Sequence, residues 1–238
     1  MRPVLLEWGI FHIYSWGFMV GLGVLLGLFI VLRRAENVGI NPEKISTLAL
    51  YVTIAGIVGA RIIYCITFWD LYRDRPWEVL WITGGGLTVY GSILFVVPTI
   101  LWFARKEKIH LWKLLDLVVL GSWPAYALGR IGCYLNGCCY GLEYHGWLAY
   151  HAPHLLEPRF PTQLLSLAIA MLFFVVFVYY LYPRRKFDGQ VFFYFIGAYA
   201  LYRFGIEFLR DNPRPLWNLT IGQWAILLAV PFLWTWYR

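Results

Sequence analysis

Arginine in a strongly apolar chain is costly, so each one asks for a reason. Arg130 closes an apolar run within Gly129–Gly141 (GRIGCYLNGCCYG), and Arg203, Glu207 and Arg210 follow at i, i+4 and i+7. A guanidinium is a permanent cation whose fork of donors matches phosphate or carboxylate oxygens. On a helix, positions 203, 207 and 210 share one face, so Glu207 can pair with either arginine and leave net positive charge. Tyr199, one turn earlier, extends that face. Asn136 and Gly141 lie in the glycine-rich stretch, where the amide offers a neutral donor and acceptor. The plainer alternatives are an arginine snorkelling to lipid headgroups and a self-neutralised ion pair.

Further polar groups sit at the ends of apolar runs. Arg61 and Tyr64 fall at i and i+3 inside the second run. Tyr90 opens the third, after the glycines of Gly84–Gly91. Pro161-Thr162-Gln163 opens the fifth, and Gly222-Gln223 lies near the start of the seventh. Three of the four cysteines, Cys133, Cys138 and Cys139, cluster in the first motif. They do not make a disulfide framework, and with His145, His151, His154, Glu143 and Glu157 they fit none of the strong zinc spacings, so no metal and no cofactor is expected.

The elements that must position these groups are membrane helices. The 238 residues are 61% hydrophobic and 14% charged, against about 25% charged in a soluble domain. Seven apolar stretches approach the roughly 20 residues a span requires: Gly9–Leu32, Thr47–Phe68, Leu87–Phe103, Leu114–Leu128, Thr162–Leu181, Val191–Phe208 and Leu219–Trp236. We expect an all-α polytopic membrane protein, one transmembrane domain over residues 1–238 with a loop segment at about 129–161. All five lysines lie in alternate loops, after the first, third and fifth stretches. The positive-inside rule makes those loops cytoplasmic, with the N terminus outside and the C terminus inside. The net charge of +7 then serves topology and anionic membrane lipids rather than nucleic acid. Arg130, Arg203 and Arg210, with Tyr90, Gln163 and Gln223, gather toward the outer face. They describe a pocket suited to a phosphate, flanked by apolar spans suited to acyl chains.

With these motifs in this order, the chain resembles the bacterial prolipoprotein diacylglyceryl transferase family over nearly its whole length. The resemblance rests on Gly129-Arg130-Ile-Gly132 with Asn136-Gly137 and Gly141, on Gly84–Gly91, on Pro161-Thr-Gln163-Leu164, on Arg203-Phe-x-x-Glu207-Phe-x-Arg210 and on Gly222-Gln223. It implies a multi-pass enzyme of the bacterial cytoplasmic (inner) membrane. Such an enzyme transfers the diacylglyceryl group of phosphatidylglycerol to the lipobox cysteine of a prolipoprotein signal peptide, forming a thioether and releasing glycerol 1-phosphate. It further implies that Arg130, Arg203, Glu207 and Tyr90 are catalytic. Arg61, Tyr64, Asn136, Gly141, Gln163, Tyr199, Arg210 and Gln223 would then bind substrate. The family commonly has histidine where Tyr90 stands, asparagine at Cys133 and glutamate at Cys138. The acceptor thiol belongs to the substrate, so no enzyme nucleophile is expected of the cysteines. The competing functions are an anion or lipid-headgroup transporter using the same arginines, and a thiol-redox membrane protein using the three cysteines.

Overall fold

The computed structural model describes residues 2–8, 11–80, 86–151, 155–213 and 217–227. Gly9, Gly84, His154 and the C-terminal part of the expected seventh stretch lie outside them. The first expected span is corrected. Val4–Trp8 (β1) and Phe11–Tyr14 (β2) form an antiparallel hairpin, and helix α1 begins only at Ser15, running to Ala35. The apolar residues of β2 adjoin the helix in sequence, so hairpin strand and helix form one continuous apolar stretch.

The other helices are α2 (Pro42–Thr67), α3 (Val89–Lys106), α4 (Leu111–Asn136), α5 (Thr162–Val175, continued by a π-turn Val176–Leu181) and α6 (Gln190–Glu207). A helical segment at 221–227, here α7, is the described start of the seventh stretch. Among the described residues, five helical stretches are long and apolar enough to cross a membrane: Ser15–Val38, Pro42–Thr67, Val89–Lys106, Leu111–Asn136 and Thr162–Arg184. Their apolar side chains are largely uncovered, among them Leu25, Leu50 and Ile66. This suits helices whose solvent is lipid and whose backbone bonds are satisfied internally.

The chain divides into two compact units, residues 31–114 and the remainder. In the 31–114 unit, α2 begins with Asn41 accepting from the Glu43 amide at 2.8 Å and Pro42 in its first turn, a standard helix start. Its packing on α3 depends on Gly59 and Gly91. A Cβ on Gly91 would lie 2.3 Å from the Gly59 carbonyl oxygen, so only glycine admits this backbone approach. Gly91 thus serves helix packing.

In the other unit, Trp123 of α4 packs against Phe173 and Phe177 and against Phe195 of α6, with ring centroids 4.8, 5.7 and 4.9 Å away. The buried Asp116 carboxylate of α4 accepts from the amides of Gly189 and Phe192, both at 2.8 Å. It thereby caps the N-terminus of α6, satisfying orphan donors at the positive end of that helix. These two anchors fix α6, and with it Arg203 and Glu207, against α4.

Candidate active site

Arg130 lies in the last turns of α4. One nitrogen, Nη2, donates to the hydroxyl of Tyr126, one turn earlier, and the guanidinium also sits 4.6 Å from that ring's centroid. The Tyr126 hydroxyl is 2.7 Å from that of Tyr202 on α6. The Tyr126 ring meets Tyr199 and Tyr202 edge-on, each at 6.0 Å. Arg130 is thus aimed by a tyrosine relay from α6. Tyr126 and Tyr202 were not singled out in the sequence. Their signal was positional: Tyr126 is i−4 from Arg130 and Tyr202 immediately precedes Arg203.

On α6, Arg203 Nη1 and Glu207 Oε2 are 2.9 Å apart, with the Glu207 side chain 3% exposed. They are close but out of hydrogen-bond alignment, because neither atom has such a partner among the described residues. Glu207 Oε1 accepts from Asn212 Nδ2 at 2.5 Å. The expectation that Glu207 pairs with either arginine resolves to Arg203, with Asn212, another residue the sequence did not flag, on its second oxygen. Gly222 lies beside the pair, its notional Cβ 3.8 Å from both Arg203 Nη2 and Glu207 Oε1.

Gly141 and Arg210 face each other across an isolated antiparallel bridge. A Cβ on Gly141 would stand 2.6 Å from the Leu209 carbonyl oxygen and 2.9 Å from that of Phe160. Three chain segments cross there, and the glycine is a packing requirement. Gln163, fully buried, donates through Nε2 to the Cys138 carbonyl and to the Tyr150 hydroxyl, both at 2.7 Å. Its Oε1 has no hydrogen-bond partner among the described residues, nor has Arg210 Nε. Burial pushes the Tyr150 hydroxyl up from its ordinary range, against the Gln163 bond.

Gln223 bonds to the backbone around it. Its Oε1 accepts from the Thr220 amide at 2.9 Å, the Thr220 hydroxyl accepts from the Gln223 amide at 3.3 Å, and its Nε2 donates to the Phe204 carbonyl at 3.2 Å. This is a capping box that starts α7 and ties it to α6.

The sulfurs of Cys133, Cys138 and Cys139 lie within 4.8 Å of one another. Asn136 is the last residue of α4, two positions before Cys138. The Cys139 thiol is held well below the usual thiol range, because the Cys133 and then the Cys138 thiols donate to it, with Arg210 and Arg130 adding their charge. Glu143, His145 and Glu157 form a second, exposed group, in which His145 Nε2 meets Glu143 Oε1 at 3.1 Å.

Arg61, Tyr64 and Tyr90 belong to the 31–114 unit. Arg61, 7% exposed, donates from Nε to the Val79 carbonyl at 2.9 Å, from Nη2 to that of Glu78 at 2.8 Å and from Nη1 to that of Gly86 at 3.2 Å. Its guanidinium also lies 5.3 Å from the Tyr72 ring. All three nitrogens hold the backbone that follows α2, so Arg61 acts as a staple there. Tyr64 packs on Phe68 at 4.8 Å. Tyr90 is 74% exposed in the first turn of α3.

The profile of the prolipoprotein diacylglyceryl transferase family matches residues 3–237. Phosphatidylglycerol–prolipoprotein diacylglyceryl transferase 2 of Clostridium perfringens is 35% identical over 219 residues, covering 90% of this chain and 85% of that protein. The phosphatidylglycerol–prolipoprotein diacylglyceryl transferase of Clostridium tetani is 33% identical, covering 90% and 87%. That of Dehalococcoides mccartyi is 32% identical over 242 residues, covering 97% and 92%.

Proposed function

The chain belongs to the prolipoprotein diacylglyceryl transferase family, and from that premise we propose that it moves the diacylglyceryl group of phosphatidylglycerol to the lipobox cysteine of a prolipoprotein signal peptide. It works in the bacterial cytoplasmic membrane, with its N terminus and its site toward the outer face. The observation that carries this reading is that Gln163 Oε1 and Arg210 Nε are buried without hydrogen-bond partners among the described residues, together with the buried Arg203–Glu207 ion pair, whose facing atoms are out of hydrogen-bond alignment. Such atoms are costly and need an explanation. A phosphodiester headgroup, with anionic oxygens and hydroxyls, supplies acceptors for the arginines and donors for Gln163 and Glu207.

The reaction then runs as a displacement. The acceptor sulfur attacks the glycerol carbon that bears the phosphate; the S–C bond forms, the C–O bond breaks, and glycerol 1-phosphate leaves with the electron pair. Negative charge grows on the leaving oxygen. Arg130, aimed by Tyr126, and Arg203, oriented by Glu207, stabilise that charge because their position is set before the reaction begins. Arg210 supports the same anion, and Asn136 and Tyr199 border it. Tyr90, at the family's histidine position, helps the thiol ionise, directly or through a water. A neutral phenol is a poor proton acceptor, so its share is small.

The test is direct. Purified full-length protein in detergent is incubated with phosphatidylglycerol and a lipobox peptide, and the peptide is weighed by mass spectrometry. A diacylglyceryl mass addition on cysteine is expected, absent when cysteine is replaced by serine. No addition under conditions where a Clostridium perfringens relative works would sink the proposal.

A further inference from the structure

The three clustered thiols are held in place by structure around them. Cys133 is buried on α4, while Cys138 and Cys139 are half-buried past a turn in which Gly137 has φ 70° and Cys139 φ 63°. A non-glycine residue in the left-handed region persists where its surroundings fix it. Here the Cys138 carbonyl is held by Gln163 Nε2 at 2.7 Å and the Cys139 carbonyl by Thr162 Oγ1 at 2.7 Å. The Cys138 amide in turn donates to the Cys133 carbonyl at 3.1 Å. The chain therefore strains its backbone to bring three soft ligands to one point.

We propose that Cys133, Cys138 and Cys139 bind a zinc ion as three thiolates, leaving the fourth tetrahedral position for the thiol of the acceptor cysteine. Zinc–sulfur bonds of about 2.3 Å put the sulfurs of a tetrahedral site about 3.8 Å apart. Sulfurs already within 4.8 Å reach that by small side-chain rotations. Thiolates select zinc over magnesium or calcium. Three protein ligands with one open position is the pattern of catalytic rather than structural zinc. Three thiolates and one zinc carry a net single negative charge.

The zinc role rests on the transferase reading, because that reading supplies a thiol substrate. A free cysteine of pKa about 8.5 is only about 3% thiolate at pH 7, whereas a metal-coordinated thiol is deprotonated outright. Coordination releases the thiol proton to solvent. The zinc-held sulfur then attacks the glycerol carbon, and the electron pair of the breaking C–O bond leaves with the phosphate. Nothing is oxidised or reduced, and the three enzyme thiolates remain ligands throughout. Zinc thereby supplies the ionisation that Tyr90 is poorly suited to provide.

The test uses the full chain in detergent, with cobalt(II) as a coloured substitute for zinc. One cobalt per chain, a tetrahedral visible spectrum with thiolate charge-transfer bands, and displacement by zinc are expected. A lipobox peptide should shift the cobalt bands, and its cysteine-to-serine counterpart should not. Absence of retained metal, or a spectrum that persists in a C133S, C138S, C139S triple variant, overturns the site. Because Cys133 is buried and its variant could misfold, the unaltered chain provides a second measurement. Zinc should protect the half-buried Cys138 and Cys139 thiols from iodoacetamide, and equal labelling of both with and without zinc overturns the proposal. Chelation should slow peptide modification about tenfold, within the roughly thirtyfold that full ionisation of the thiol offers at pH 7; transfer indifferent to chelation overturns the catalytic role. An intact cobalt spectrum with no transfer under any condition would instead overturn the transferase reading and leave the metal site standing.

Discussion

Two arginines drawn from apolar helices, Arg61 and Arg203, have opposite surroundings. Arg61 spends its three nitrogens on the carbonyls of Glu78, Val79 and Gly86. Arg203 has a carboxylate at 2.9 Å, yet its Nη1 makes no hydrogen bond among the described residues. Both were flagged by the rule that an ionisable residue within a span is functional until shown otherwise. What separates them is satisfaction. A guanidinium whose donors already meet carbonyls holds structure. One that meets a single carboxylate, out of hydrogen-bond alignment, keeps donors with which a ligand could bond, which is the role proposed for Arg203.

The largest expected effects sharpen that contrast. Arg203→Lys and Arg130→Lys keep charge but lose the fork, and transfer to a lipobox peptide should fall at least about tenfold, about 1.4 kcal/mol, with thermal stability near that of the parent. Arg61→Lys should do the reverse, losing about 1.5–3 kcal/mol of stability through its missing bonds to carbonyls, while KM for phosphatidylglycerol stays unchanged in the protein that remains folded. An Arg61 variant that is stable but raises KM would break the comparison and return Arg61 to the headgroup.

Next come the groups that aim Arg203. Glu207→Gln removes the anion beside it and should lower kcat about tenfold across the pH range, since the loss is one of position. Asn212→Ala frees one Glu207 oxygen and should cost about threefold. A Glu207→Gln variant restored at high pH would make Glu207 a base instead. Smaller still in activity is Gln223→Ala, which removes a capping box and should cost about 1 kcal/mol of stability with kcat nearly unchanged; a large loss of kcat in a stable variant would put Gln223 back among the substrate ligands.

What the sequence made legible was periodic. Arg203 and Glu207 declared themselves because a four-residue spacing maps onto one helix face, and most of the spans did so through their length and apolarity. What it hid was set by turns and by distant partners. The Arg61 carbonyls come from a short 3-10 segment, Pro76–Leu80, and its flank, whose path no local pattern records. The three sulfurs meet only because Gly137 and Cys139 adopt positive φ, so the spacing of their cysteines matched no zinc pattern. The N-terminal hairpin merged into the first apolar stretch because a short β-strand and a helix start are equally hydrophobic.

The smallest expected effect belongs to Tyr90, and it bears on the contrast from the other side. Its side chain is 74% exposed, so it is neither a satisfied staple like Arg61 nor a donor set against a single carboxylate like Arg203. A group in that condition contributes through the substrate or not at all. If Tyr90 helps the acceptor thiol ionise, Tyr90→Phe should slow transfer about threefold near pH 7. The deficit should close as the pH approaches about 9, because a thiol of pKa about 8.5 then ionises unaided. The sign follows from the substrate: the reactive species is the thiolate, its fraction rises with pH, and help with deprotonation matters only below the thiol pKa. Rate profiles of parent and Tyr90→Phe protein from pH 6 to 9 should therefore converge at the alkaline end. Parallel profiles, offset equally at every pH, would assign Tyr90 to substrate positioning and leave ionisation of the thiol to other groups.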